Sequence, residues 1–138
     1  THVELLVKDR GGYVKMNLNA KLSEILGDHF HFTNVIVNIL DNAIKYSEGA
    51  PKIDITTENT AKEIVIKIKD QGIGMVKSVQ KNVFKKFYRE ERGNIHNVKG
   101  HGLGLAYVKK IVEIHQGEVY VESEKGIGST FTIKLPKI

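Results

Sequence analysis

Five polar side chains, Asn34, Asn38, Asp41, Asn42 and Lys45, recur between residues 34 and 45 at spacings that one helix would gather on one side. At roughly 100° per residue they fall within an arc of about 100°, opposite Val35, Ile36, Ile39, Leu40 and Ala43. An exposed helix face ordinarily carries Lys and Glu. Carboxamides have modest helix propensity, so helix stability does not account for them here. Their carbonyl oxygens are hard donors of the kind Mg²⁺ accepts, with waters and phosphate oxygens as its further ligands. Lys45 lies three residues beyond Asn42 and offers a phosphate a point charge. Tyr46 stands beside it. Taken alone, a plain solvated polar face would read the same way.

Three further constellations carry chemistry. Asp70-Gln71-Gly72-Ile73-Gly74 follows an alternating apolar run, so a carboxylate sits at a strand end where it can accept a hydrogen bond from an exocyclic amine. Its glycines allow a tight turn and a close backbone approach to a ligand plane, or simply a glycine turn. Gly100-His101-Gly102-Leu103-Gly104-Leu105 opens a helical pattern. Alternating glycines expose N–H groups, and the helix N-terminus adds a positive dipole, which makes an anion site. This is not a Walker A motif, because no Gly-Lys-Ser/Thr follows, nor a dinucleotide fingerprint directly after a strand. A hinge before the helix is the alternative. Finally, Phe84, Phe87, Tyr88 and Arg89 lie in a basic stretch. Its aromatics read first as anchors holding a loop to the core, while Arg89 and Arg92 suit terminal phosphates.

The charge balance points to the same region. The formal net charge is +5. From Lys77 to Lys99 there are seven basic residues and two acids, so this stretch holds the whole excess. A local anion explains it better than a nucleic-acid surface, which would need positive charge spread along one face.

The elements that must position these groups follow from periodicity. Residues 3–10 read as a short helix stopped by Gly11-Gly12. Tyr13 to Leu18 alternates as a half-buried strand, and Ile25-Leu26 suggests another short one. A helix runs from about Phe30 to Ser47. Lys52–Asn59 and Glu63–Lys69 form a hairpin. Residues of about 75–101 read as short helical pieces followed by a mobile loop. Leu103–His115 is a helix closed by Gln116-Gly117, and Glu118–Ser123 with Thr130–Leu135 make a second hairpin, with Pro136 at its end. Helices and strands do not alternate regularly, so a mixed sheet with helices on one face fits better than a doubly wound one.

The 138 residues suit one domain. The absence of Cys excludes disulfides, thiolate catalysis and Cys-ligated zinc. No apolar run reaches the roughly 20 residues of a membrane span. The first residues lack a signal-peptide layout and an initiator Met, and read as those of an excised or processed chain.

In order and spacing the four boxes resemble the catalytic ATP-binding domain of sensor histidine kinases, in the superfamily of gyrase, the Hsp90 chaperone and MutL. Asn38-Ile-Leu-Asp-Asn42-Ala-Ile-Lys45-Tyr46-Ser47 is similar to the N box, and Asp70-Gln-Gly72-Ile-Gly74 to G1. Val83-Phe84-Lys-Lys-Phe87-Tyr88-Arg89 is similar to the F box, and Gly100-His-Gly102-Leu-Gly104-Leu to G2. Gly126-Ile-Gly128-Ser129-Thr130-Phe131 looks like the family's final glycine turn. The likeness spans nearly the whole chain.

The resemblance implies a single α/β two-layer sandwich over 1–138, a mixed, mostly antiparallel sheet under about three helices, with a mobile ATP lid at about 75–101. It implies ATP and Mg²⁺ as cofactors. Asp70 would bond the adenine amine, with Gly72 and Gly74 beside it. Asn38 and Asn42 would hold Mg²⁺ and the phosphates, Lys45 would meet phosphate, and Tyr46 would flank the nucleotide. Arg89 would reach the terminal phosphate from the lid. Gly100, His101, Gly102, Leu103 and Gly104 would wrap the phosphate tail, and Thr130 would complete the nucleotide's surroundings.

ATP-hydrolysing relatives carry a glutamate four residues before the position of Asn42, where this chain has Asn38. A carboxamide cannot act as a general base at neutral pH. The expected activity is therefore transfer of the γ-phosphate to a histidine on a separate dimerisation domain, for relay to a response regulator. The expected location is cytoplasmic, without nucleic acid or membrane contact by these residues. None of the six histidines reads as the acceptor, so the chain alone should bind ATP without phosphorylating itself. An anti-sigma-type serine kinase and a non-catalytic nucleotide-binding module are the alternatives.

Overall fold

Apolar residues at every second position give each central strand one apolar face, and that face decides where the helices go. In the computed structural model, which describes residues 9, 11–18, 29–47, 49–85 and 104–136, five strands form one sheet. They are β1 (Tyr13–Leu18), β2 (Lys52–Asn59), β3 (Glu63–Asp70), β4 (Glu118–Glu124) and β5 (Gly128–Pro136), in the spatial order β1-β2-β3-β5-β4. β1 runs parallel to β2, and the other neighbours are antiparallel. The helices are α1 (His29–Lys45), α2 (Lys77–Asn82) and α3 (Gly104–Ile114). The expected mixed, mostly antiparallel sheet under helices is the one observed.

The core is one layer between sheet and helices. Ile53 and Ile55, then Ile64, Ile66 and Ile68, then Phe131, Ile133 and Leu135 are buried on one sheet face. Val35, Ile39, Leu40, Ala43 and Ile44 of α1 and Leu105, Val108, Ile111 and Val112 of α3 complete the cluster. Burial of each such side chain contributes roughly 1.5–3 kcal/mol before entropy is counted. Ile36, expected on the apolar side of α1, packs at the margin of the core, and Ile44 joins the buried row instead.

The element ends differ from the sequence reading in ways that matter for function. β3 extends to Asp70, opposite Ile53 in the β2 register. β5 begins at Gly128, two residues earlier than expected, because Ser129 and Gly128 continue the pairing with Ser123 and Glu124. α3 ends at Ile114, and Gln116 takes up the left-handed conformation (φ 62°) that closes it. Gly117 then donates its N–H to the Val112 carbonyl over 2.9 Å. Apart from Asp9, the helix expected over 3–10 lies outside the described residues. So do the strand suggested at Ile25-Leu26 and residues 86–103 of the expected lid. No helix among the described residues is long and apolar enough to cross a membrane.

Candidate functional site

Asp70 is the last residue of β3 and is 8% exposed. One carboxylate oxygen, Oδ1, accepts the Gly72 N–H at 2.9 Å and the Ser129 N–H at 3.2 Å. Among the described residues no hydrogen bond reaches its other oxygen, which is not sealed from solvent. Burial pushes the Asp70 carboxyl up from its usual value, and the two backbone N–H groups partly offset this. Its arrangement, one oxygen fixed by the backbone and one left over, suits an acceptor aimed at an incoming N–H donor.

The turn after Asp70 lies against the end of α1. Ile73 donates its N–H to the Tyr46 carbonyl at 3.1 Å. Gly72 fits so closely beneath that carbonyl that a Cβ would come within 2.7 Å of its oxygen. At Gly74, φ is +71° and a Cβ would run into the Glu124 carbonyl. The glycine spacing therefore serves close backbone packing as well as a turn.

The polar side of α1 faces the start of α3. Asn38 donates from Nδ2 to the Asn34 carbonyl at 2.8 Å, which leaves its Oδ1 pointing away. A Cβ on Gly104 would sit 3.3 Å from that Oδ1. Asn38 and Asn42 are both half-buried, and no hydrogen bond from a described residue engages the Asn42 carboxamide. Lys45 pairs with Asp41, Nζ to Oδ2 3.0 Å, one turn back on the same helix. Among the described residues no group of three His, Cys, Asp or Glu could hold a metal ion. The two carboxamide oxygens fit a hard cation that keeps several waters and takes phosphate oxygens for its remaining positions.

Four sequence motifs therefore meet. Tyr46 touches the Asp70–Gly74 turn, Asn38 touches the start of α3 at Gly104, and Asp70 is tied to the Gly126–Phe131 turn through Ser129. Phe84, read as a loop anchor, packs edge-on against the buried Phe131 ring with centroids 6.0 Å apart. Arg89, Gly100, His101, Gly102 and Leu103 lie outside the described residues.

Thr130 is not brought to this group. It pairs with Lys69 and Glu122, on the sheet face away from the helices, whereas Ser129 shares the face of Asp70. Strand parity was the available signal, since Phe131 and Ile133 face the core and Ser129 has their parity. Sequence reasoning also passed over Ser123 and Gln80. The Ser123 hydroxyl accepts the Met75 N–H at 2.7 Å and meets Ser129 Oγ at 2.7 Å. Gln80 donates from Nε2 to the carbonyls of Met75 and Ser123 at 2.8 and 3.0 Å. Single polar residues in strand and helix patterns give no such signal.

Comparison with known proteins points the same way. The family described as "Histidine kinase-, DNA gyrase B-, and HSP90-like ATPase" matches residues 27–138. The chain is 46% identical over 134 residues to the sensor protein RprX of Bacteroides fragilis, covering 96% of this chain and 26% of that one. It is 36% identical over 113 residues to the sensor-like histidine kinase SenX3 of Mycolicibacterium smegmatis, with 82% and 29% covered. The chain thus spans 26–29% of the length of these two curated relatives. The solved structure of the mycobacterial sensor histidine kinase MprB superposes with a TM-score of 0.79 at 25% identity, covering 98% of this chain and 89% of that one.

Proposed function

The chain belongs to the histidine kinase-, DNA gyrase B- and HSP90-like ATPase family, and from that membership we propose that it is the catalytic ATP-binding domain of a sensor histidine kinase. It binds Mg-ATP and supplies the γ-phosphate to a histidine on a separate dimerisation domain, for relay to a response regulator. It works on the cytoplasmic side, as a part of a longer signalling protein like the relatives it matches.

One observation carries this reading. A buried carboxylate with one uncommitted oxygen and two half-buried carboxamides border the same junction of α1, α3 and the Asp70–Gly74 turn. Asp70 accepts the adenine amine through its second oxygen, because the first is taken by Gly72 and Ser129. Asn38 and Asn42 would hold a magnesium ion, which would supply charge neutralisation at the phosphates. Lys45 exchanges Asp41 for phosphate. An exposed pair one turn apart is worth only about 0.3–0.5 kcal/mol, so releasing it costs little. Arg89 and the backbone of Gly100–Gly104 take the terminal phosphates from the lid.

Phosphoryl transfer depends on positioning and charge more than on covalent help. A neutral imidazole nitrogen of the acceptor attacks the γ-phosphorus, the bond to the bridging oxygen breaks, and ADP leaves. Asn38, standing where hydrolytic relatives have glutamate, cannot take a proton from water at neutral pH, which disfavours hydrolysis. Mixing the chain with an acceptor-helix domain and radiolabelled ATP tests the reading. It expects acid-labile label on the acceptor and slow hydrolysis by the chain alone. Acid-stable label, as a serine kinase would leave, or rapid hydrolysis without a partner would contradict it.

A further inference from the structure

The Ser123 hydroxyl sits between two parts of the proposed nucleotide site that the sequence keeps far apart. On one side is the segment leading into α2, where the Met75 N–H donates to it at 2.7 Å. On the other is the β5 start, where it lies 3.0 Å from the Gly128 carbonyl and 2.7 Å from Ser129 Oγ. A hydroxyl has one proton and two lone pairs. With Met75 donating, the set closes when Ser123 donates to Gly128 and accepts from Ser129. The Ser129 hydroxyl proton is then turned toward Ser123, and the Ser129 N–H remains on Asp70.

Gln80 braces the same point from α2. Its Nε2 donates both to the Met75 carbonyl and to the Ser123 carbonyl. Met75 is thus held through its N–H by the Ser123 side chain and through its carbonyl by Gln80. A further bond, Gly126 N–H to the Ile73 carbonyl at 2.7 Å, ties the glycine turn to the same β4–β5 connection. Four residues from separate elements therefore form one hydrogen-bonded set between Asp70 and the first turn of α2.

We infer that Ser123 is a positioning residue that couples the base-recognising carboxylate of Asp70 to the segment entering α2 at Met75, with Gln80 as its brace. It touches neither base nor phosphate. It fixes Ser129, whose N–H aims Asp70, and it fixes Met75, two residues before α2. The inference rests on the proposed nucleotide site and adds to it a route by which the entry to α2 and base recognition respond to each other.

The test compares wild type, Ser123→Ala, Ser123→Thr and Gln80→Ala. Affinities for Mg-ATP and Mg-GTP are measured on each, with amide hydrogen exchange at Met75 and Ser129. A merely structural residue changes the folded fraction and leaves the ATP-to-GTP preference of the folded protein intact. The inference expects Ser123→Ala to lower that preference by about tenfold, the scale of one or two lost hydrogen bonds. It expects faster exchange at both amides, rescue of both readouts by Ser123→Thr, and a smaller loss in Gln80→Ala with faster exchange at Met75. Preference kept within twofold, with unchanged exchange at Ser129, overturns the inference. Should wild type bind no nucleotide, the functional reading fails on its own. Exchange then decides whether Ser123 links the two amides, and unchanged exchange at Ser129 in Ser123→Ala still overturns the link.

Discussion

Ser129 donates its backbone N–H to Asp70 Oδ1 across 3.2 Å, joining residues 59 positions apart. That bond and the one from Gly72 use up a single oxygen of a carboxylate that burial has pushed above its ordinary pKa. Burial disfavours the charged form of Asp70, and the two backbone N–H groups offset this in part.

A pH dependence follows. Because the folded pKa is raised, the folded state holds its proton where the unfolded chain has lost it. The stability contributed by that proton is fully present below the usual value of 3.8 and is lost as pH rises through the folded pKa. Thermal melts of wild type and Asp70→Asn over this range should show wild type losing stability relative to the variant as pH rises. At neutral pH, Asp70→Asn should match or exceed wild type in stability. Its ATP affinity should fall about tenfold or more, the scale of a hydrogen bond to a charged group. A wild-type advantage that grows with pH would contradict the burial argument.

Asn42 offers a sharper separation of stability from binding. Its carboxamide has no hydrogen bond from a described residue, and it occupies a helix position. Alanine is the better helix former by up to about 0.7 kcal/mol. Asn42→Ala is expected to melt at or slightly above the wild-type temperature while Mg-dependent ATP affinity drops by at least about tenfold. A clear loss of stability would mean that Asn42 is a structural residue.

The glycines differ among themselves. Gly74 combines φ +71° with a neighbouring Glu124 carbonyl where a Cβ would go, whereas Gly126, at φ +88°, has open space around it. Urea unfolding should show Gly126→Ala costing about 1–2 kcal/mol, the penalty of the left-handed region alone. Gly74→Ala should cost about 3 kcal/mol or more, because the backbone must also shift. Equal losses would refute the close-approach argument.

At the end of α3 the left-handed position is filled by Gln116 at φ 62°, although Gly117 follows it. Gly117 is needed where it is, since a Cβ there would press on the Lys134 carbonyl and on Leu135. Gln116→Gly should relieve the strain and stabilise the chain by up to about 1 kcal/mol, with ATP affinity unchanged. Denaturant midpoints and a nucleotide titration check both halves of that expectation.

The sequence made the secondary structure and the sheet's apolar face legible wherever one period dominated. Ile53 and Ile55, Ile64 to Ile68, and the Val35–Ile44 face of α1 are such places. Asn38, Asn42 and Asp70 stood out in the sequence because carboxamides are unusual on a helix face and a carboxylate followed by two glycines is unusual at a strand end. The sequence was less legible at turn ends. The reading of Thr130 missed strand parity: Phe131 and Ile133 face the core, so Ser129 and not Thr130 shares the face of Asp70. The Ser123–Gln80–Met75 set was invisible, because ordinary residues acquire that role only when β4, β5 and α2 pack together.

A crystal structure with magnesium and a non-hydrolysable ATP analogue tests the central claim most directly. The account predicts the adenine amine at hydrogen-bonding distance from the free oxygen of Asp70. It also predicts the phosphates running past Asn38 and Asn42 toward the start of α3 at Gly104. A nucleotide bound elsewhere, or an Asp70 oxygen turned instead to a protein donor with the α1–α3 junction closed, would contradict it.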